Sequence, residues 1–346
     1  MSVTSGPKTA RRWFVNETPK GDLTDTTLAL RDEPLRDLEA GEFLVRSIYL
    51  SLDATNRVWL STFDHYMPPL LPGDPMRGFL VGEVIESRNE AFPTGSLAVG
   101  IHTWSDYFVT DGTDFSVYPG VDGLPLSDFF GVMTVAAPTA YHGLIEMAKP
   151  QPGETVVVTA AAGAVGALVG QMAKIAGCRV VGVAGGTDKC AYLVNELGFD
   201  AAVDYKSEPI LEGLERACPD GIDVHFENVG GEALDAGLTL ASQGARVIIC
   251  GLISSYNNDV QDDGVKMIRN MIFRRIRMEG FVILDYLDQY PRYYEAILPW
   301  IAEGKLKYRL HVVDGIENAL DALKLLYTGG NNGKLMVRIG DEAVRA

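Results

Sequence analysis

The sequence predicts an α/β fold: a doubly wound parallel sheet on the second half of the chain, preceded by a β-rich, partly barrel-like half. Three observations predict it. Short β-rich segments broken by turn residues fill the chain up to about residue 128. From Asp128 onward, hydrophobic strands alternate with helical stretches, the pattern of a parallel sheet covered on both faces. At the first joint of that alternation, a valine-rich strand runs into a turn of alanines and glycines.

In order, the β-rich half carries strands at Phe43–Leu52, Gly78–Glu86, Ser96–Val99, Trp104–Val109 and Phe115–Tyr118. Gly73-Asp74-Pro75 and Phe92-Pro93-Thr94-Gly95 punctuate them as loops. The second half begins with a buried strand at Thr155–Thr159 and a helix at Ala164–Ala176. A strand at Arg179–Ala184 and a helix at Lys189–Leu197 follow. Further strands fall at Ala201–Val203, Val224–Phe226, Ala245–Cys250 and Met278–Ile283, with Pro299–Lys305 as the exit from the last crossover. Tyr308–Val313, Ile316–Tyr327 and Leu335–Ile339 return to strand, helix and strand. This divides the chain into a β-rich catalytic domain, 1–128 with 305–346 rejoining it, and a nucleotide-binding domain, 129–304.

Composition narrows the function. The chain has 346 residues, matching a prior of about two domains at roughly 150 residues each. Its 30 Lys and Arg against 46 Asp and Glu leave a net charge of −16, which repels a phosphate backbone and excludes nucleic acid as a partner class. Arg11-Arg12 before Trp13-Phe14 has the look of a twin-arginine export signal, but polar and charged residues follow at once, which rejects it. The uncharged run Thr155–Ala173 contains Gly163, Gly166 and Gly170, and it reads as strand, turn and helix rather than a membrane span. Cys178, Cys190, Cys218 and Cys250 form no CxxC pair, so the thiols read as free in a reducing cytoplasm.

The strand-to-helix joint carries most of the chemistry. Val156-Val157-Val158-Thr159-Ala160-Ala161-Ala162-Gly163-Ala164-Val165-Gly166 is a degenerate dinucleotide fingerprint, with Ala161 at the first glycine place and Gly163 and Gly166 at the other two. The helix opening at Ala164 aims its N–H groups at a diphosphate. At the end of the second strand, Gly185-Gly186 stands where NAD sites place a carboxylate, and Lys189 supplies a cation; together they favour NADP. Asp188 argues the other way and reads as a helix-start residue pointing away. Two more strand ends face the ligand crevice. Asn228, in Phe226-Glu227-Asn228-Val229-Gly230-Gly231, reads either as a cofactor contact or as a turn asparagine. Tyr256, beyond Cys250-Gly251, reads either as a residue over the nicotinamide or as a loop aromatic.

These residues resemble the zinc-independent medium-chain dehydrogenase/reductases, in the branch of prostaglandin reductase (leukotriene B4 12-hydroxydehydrogenase), alkenal double-bond reductase and curcumin reductase. The resemblance is carried by Ala160–Gly166, Gly177–Lys189, Ala191-Tyr192-Leu193, Leu197–Lys206, Cys218–Gly231, Cys250–Asn257, Arg277–Phe281, Glu303–Tyr308 and Gly333–Val337. It implies a Rossmann domain with a GroES-like β domain, and NADP(H) as cofactor. Ala162, Gly163, Ala164, Val165 and Gly166 would hold the diphosphate, and Gly186, Lys189 and Tyr205 the 2′-phosphate. Asn228, Cys250, Gly251, Ile253, Ser255, Tyr256, Phe281, Val282, Ile283 and Asn331 would line the rest. It also implies a homodimer made by pairing the strand around Met278–Ile283.

The first half departs from that pattern. Ala54-Thr55-Asn56-Arg57 replaces the usual Pro-Tyr-Met-Arg, which puts Thr55 in place of an active-site tyrosine and leaves Tyr66 to reach the substrate instead. Thr134-Val135-Ala136-Ala137-Pro138 replaces a Gly-Met-Pro-Gly stretch. No metal is expected: no cysteine precedes Cys178, Gly78–Glu83 lacks the histidine of a GHE motif, and His65, His102 and His142 are scattered. The expected activity is NADPH-dependent reduction of the C=C bond of a small unsaturated aldehyde or ketone, with hydride delivered to the β-carbon. Tyr256 O–H and a cofactor ribose hydroxyl would hold the enolate. Quinone reduction and NADP-dependent oxidation of an allylic or secondary alcohol remain open, as does a non-enzymatic binding protein.

Overall fold

The computed structural model describes residues 7–118, 120–257 and 264–342. Two compact units divide the chain. One holds the described residues through Phe130, His311–Asn331 and those from Leu335; the other holds the described residues of 131–310 and Asn332–Lys334.

In the first unit, β1 (Thr9–Val15) and β2 (Leu28–Pro34) form an antiparallel ribbon paired from Thr9↔Pro34 to Val15↔Leu28. Neither strand is expected from the sequence reading. Ala10, Trp13 and Val15 are buried while the two arginines of the rejected export signal lie between them, so the alternation is a strand's. The main sheet contains β3 (Phe43–Ser51), β4 (Arg77–Ser87), β5 (Leu97–Thr103), β6 (Tyr107–Thr110) and β7 (Phe115–Val117), with helix α1 (Thr55–Val58) after β3. Phe43, Val45, Val84, Phe92, Ala98 and Phe108 form its core, Phe43 stacking on Phe92 at 4.4 Å between ring centres.

The second unit is a six-stranded parallel sheet. Its strands are β8 (Thr155–Val158), β9 (Arg179–Ala184), β10 (Ala201–Asp204), β11 (Ile222–Glu227), β12 (Ala241–Ile249) and β13 (Arg277–Gly280), in the order β10-β9-β8-β11-β12-β13. Helices α2 (Ala164–Ile175), α3 (Thr187–Asn195), α4 (Ile210–Ala217) and α5 (Gly231–Leu240) are the crossovers, followed by α6 (Tyr290–Ala302). The strand order reverses between β8 and β11, so the carboxyl ends of these strands flank the crevice where doubly wound sheets take ligands. Close packing pins α2 against the loop that leads into β10: a Cβ on Gly170 would sit 1.9 Å from the Phe199 ring.

The strand expected at Met278–Ile283 stops at Gly280, where its ladder with β12 ends at Ile249↔Gly280. Phe281 and Val282 follow it in extended chain, and Ile283 opens a 3₁₀ turn. Pro299 does not mark an exit but lies inside α6. The run Thr155–Ala173 is β8, a turn and most of α2. Among the described residues, no helix is long and apolar enough to cross a membrane. Strand β14 (Leu310–Asp314), helix α7 (Ala319–Thr328) and strand β15 (Lys334–Arg338) complete the chain, extending the first unit's sheet to β14-β15-β3-β4-β5-β7 with β6 on β3.

Candidate functional site

The turn between β8 and α2 is the geometric centre of the second unit's site. Here the left-handed residue is Ala160, with φ +48°, one position before the place assigned to the first fingerprint glycine. Ala161 behind it is fully buried and closes the turn by donating its N–H to the Val183 carbonyl at 3.0 Å. A Cβ on Gly182 of the neighbouring strand would lie 2.9 Å from the Ala161 methyl. Gly166 is required for a second reason: its Cβ would meet the Ala160 carbonyl oxygen at 2.6 Å. Gly163 caps α2, whose first residues Ala164, Val165 and Gly166 present backbone N–H groups at a helix N-terminus. This bare backbone cradle fits a diphosphate. A small cavity opens beside it, between Ala162–Ala164 and Tyr192, Arg309 and Lys334. Sequence reasoning missed Arg309 and Lys334, which arrive from the far end of the chain.

At the end of β9, Gly186 caps α3 with φ +99°, and its N–H donates to Asp204 Oδ1 at 2.7 Å. Asp188 lies in the first turn of α3 and is exposed. Tyr205 lays its ring over Gly185, where a Cβ would fall 2.7 Å from it. Lys189 is half-buried; burial, then the charge of Lys206, holds its ammonium below the usual range. The charge of Lys206 is felt at Lys189, and two cations beside the exposed Tyr205 phenol favour a bound anion.

Below the crevice, Glu227 joins three strand ends. Its side chain is fully buried, and its Oε1 accepts from Thr159 Oγ1 at 2.7 Å, Val229 N–H at 2.5 Å and Gly230 N–H at 2.9 Å. Its Oε2 accepts from His225 Nε2 at 2.5 Å. Burial alone raises such a carboxyl, but the His225, Thr159 and Gly230 bonds outweigh it and hold Glu227 below the usual carboxylate range. The Glu227 carbonyl in turn accepts the Cys250 and Gly251 N–H groups. Asn228 Nδ2 donates to the Thr159 carbonyl at 2.7 Å, so its side chain is held rather than loose in a turn. Neither Glu227 nor Thr159 is singled out by sequence reasoning; the one available signal is an acidic residue at the end of an apolar strand.

Tyr256 closes the loop after β12. Its hydroxyl accepts the Leu252 N–H at 3.0 Å and stands over Gly251, where a Cβ would approach it to 3.2 Å. Ile253 and Ser255 form the intervening 3₁₀ turn. Cys250 is pushed up to about 12 by burial, then by Glu227, so it is a thiol rather than a nucleophilic thiolate. Phe281 packs its ring 5.2 Å from His142, and Ile283 is buried.

In the first unit, Thr55 Oγ1 and the Tyr66 hydroxyl hydrogen-bond one another, and the Tyr66 side chain is 46% exposed. Asn331 lies in the turn between α7 and β15. His102 stacks on Phe108 and burial pushes it down to about 4, while His142 bonds Tyr293 at 2.7 Å. Among the described residues no group of three or more His, Cys, Asp or Glu is placed to hold a metal ion, and the four cysteines are unbridged.

A six-stranded doubly wound sheet with a small-residue turn at its switch point, on a chain that also carries a β-rich unit, defines a two-domain oxidoreductase. Residues 11–117 match the family model described as N-terminal domain of oxidoreductase, and 164–303 match that described as zinc-binding dehydrogenase. The chain is 38% identical over 338 residues to the NADPH-dependent curcumin reductase of Escherichia coli (strain K12), covering 96% of this chain and 98% of that one. It is 41% identical over 305 residues to the NADP(+)-dependent 2-alkenal reductase of Nicotiana tabacum, covering 88% and 89%. The crystal structure of CurA in complex with NADPH from Vibrio vulnificus matches at a TM-score of 0.90 and 38% identity, over 96% of this chain and all of that one. The chain belongs to the medium-chain dehydrogenase/reductases, in the zinc-independent branch of alkenal and enone reductases.

Proposed function

We propose that this chain reduces the C=C bond of α,β-unsaturated aldehydes and ketones with NADPH. The observation that carries the reading is Gly185-Gly186 in the carboxylate's place at the end of β9, with Lys189, Lys206 and Tyr205 beside it, on a chain matching NADPH-dependent reductases over nearly its full length. Ala162–Gly166 would hold the diphosphate, Gly186, Lys189 and Tyr205 the 2′-phosphate, and Asn228, Cys250, Gly251, Ile253, Ser255, Phe281, Val282, Ile283 and Asn331 the remainder. When bound, NADPH supplies the hydride for the β-carbon. Tyr256 O–H donates to the carbonyl oxygen as it takes up negative charge. On the β-rich unit, Thr55 and Tyr66 contact the substrate. The test is NADPH consumption across enones, quinones and, in reverse, alcohols. Enones should turn over fastest, and a faster quinone would replace this reading.

Lys189→Ala should weaken NADPH by about 1–3 kcal/mol, the scale of a charge-assisted hydrogen bond, and leave NADH nearly untouched. Equal losses for both cofactors in a binding titration would remove Lys189 from the 2′-phosphate. A homodimer is also proposed. Strand β13 is an edge of its sheet, and Ile272 and Phe273 just before it are 77% and 62% exposed, a large apolar area for a monomer's surface. Light scattering should find two chains per particle; one chain per particle would contradict it. The unbridged thiols suit a reducing cytoplasm, which cell fractionation checks.

A further inference from the structure

His142 lies where the helix Ala136–Tyr141 widens into the π-helical turns His142–Ala148, a rare geometry that clusters at functional sites. Its ring is buried among three aromatic side chains. Centre to centre, it lies 3.8 Å from the Tyr286 ring, 5.2 Å from Phe281 and 6.0 Å from Tyr293. Phe281 and Ile283 belong to the cofactor cleft in the reading above, and Tyr286 kinks the 3₁₀ turn that Ile283 opens. The bare Gly143 lets the same layer close on the backbone: a Cβ there would lie 2.7 Å from the Phe226 ring and 3.0 Å from Phe281. His142 and Gly143 are therefore the surface on which the segment 281–286 rests.

One hydrogen-bonded chain fixes the imidazole. Arg292 pairs with Glu146 at 3.1 Å and donates to the Tyr293 oxygen. Tyr293 is fully buried, so its own O–H needs an acceptor, and His142 Nδ1 stands 2.7 Å away. That makes Nδ1 the acceptor and puts the ring hydrogen on Nε2, which has no partner among the described residues. An imidazolium fits worse. Its Nδ1–H would face an oxygen already bonded to a cation, and its Nε2–H would still lack an acceptor. Burial holds His142 below the usual imidazole range; Glu146 opposes this, Arg292 adds to it, and the facing phenols are those of Tyr286 and Tyr293.

We propose that His142 is a positioning residue for the nicotinamide end of the cofactor, holding Phe281–Ile283 in place only while its imidazole is neutral. This rests on the assignment of Phe281–Ile283 to the NADPH cleft and adds the side chain that supports them. The test measures two affinities by calorimetry: that of NADPH, and that of adenosine 2′,5′-bisphosphate, which keeps the 2′-phosphate and lacks the nicotinamide. In His142→Ala, NADPH should bind about 2- to 10-fold more weakly, the worth of one aromatic pair, while the bisphosphate binds as it does to the wild type. Tyr293→Phe removes the donor to Nδ1 and leaves the imidazole in place. It should give a smaller loss in the same direction, and it serves where His142→Ala fails to fold. The ratio of the two affinities cancels the titration of the 2′-phosphate, which both ligands carry. In the wild type that ratio should be flat above the ordinary imidazole value of 6.5 and fall several-fold as pH drops below it; in His142→Phe it should stay flat. An unchanged ratio in His142→Ala, or equal losses for both ligands, would reduce His142 to a packing residue. A pH dependence that persists in His142→Phe would overturn the role of its neutral form. The expected pattern of binding with no reduction of any enone would count against the reductase reading alone.

Discussion

Glu227→Ala is expected to destabilise the protein by about 3–5 kcal/mol, the range for removing one partner of a buried charged network. The variant leaves Thr159 O–H, His225 Nε2–H and the Val229 and Gly230 N–H groups buried without their shared acceptor. NADPH affinity should fall as well, because the Thr159 hydroxyl that the Glu227 carboxylate holds is the acceptor of the Asn228 N–H. Glu227→Gln keeps one carbonyl oxygen for Thr159 and the two backbone donors, so it should lose less. The pH dependence follows from the direction of the shift. Glu227 lies lower in the folded protein than its unfolded value of about 4.3, so its stabilisation is full above that pH and is lost as pH falls through the folded value. Chemical denaturation of wild type and variant at neutral pH decides; a loss under about 1 kcal/mol, the worth of a single neutral hydrogen bond, would show that the network is dispensable.

Tyr256→Phe should lower kcat for enone reduction by about 10- to 100-fold, toward the lower end of what removing one preorganised oxyanion donor costs, since water can partly compensate. The ring and its packing over Gly251 remain, while the Leu252 N–H loses its bond to the hydroxyl. NADPH affinity should move little, because the phosphate contacts assigned to Lys189 and Tyr205 lie elsewhere. If Tyr256 only packs the loop, the variant turns over near the wild-type rate. Steady-state kinetics at saturating NADPH and enone, with a separate binding titration, separate the two.

What was legible in the sequence is what local periodicity and small-residue turns report. Arg179–Ala184 is a strand to the residue because a run of valines ends at two glycines, and the Ala160–Gly166 turn is legible because helix and strand approach too closely there for larger side chains. Other features are set by partners far along the chain. The Gly280–Ile283 run reads as strand, yet its ladder stops where β12 stops. The β1 strand is hidden by Arg11 and Arg12, and its Trp13 side chain is satisfied only by the Ile316 carbonyl, at 2.8 Å. The bond between Thr55 and Tyr66, the roles of Arg309 and Lys334 beside the turn, and the chain of bonds from Glu146 to His142 are all products of folding. Glu227 was in plain view as one residue of a strand end; His225, Val229 and Gly230 are its sequence neighbours, but the Thr159 hydroxyl comes from the end of another strand and carries no mark in the sequence.

The central claim is that hydride passes from NADPH to the β-carbon of an unsaturated carbonyl. Its most direct test supplies NADPH deuterated at both C4 positions and locates the label in the product by NMR. The account predicts a saturated aldehyde or ketone with one deuterium on the β-carbon for each NADPH consumed. Deuterium on the carbonyl carbon of an unsaturated alcohol, or NADPH oxidation with the C=C bond intact, would contradict it.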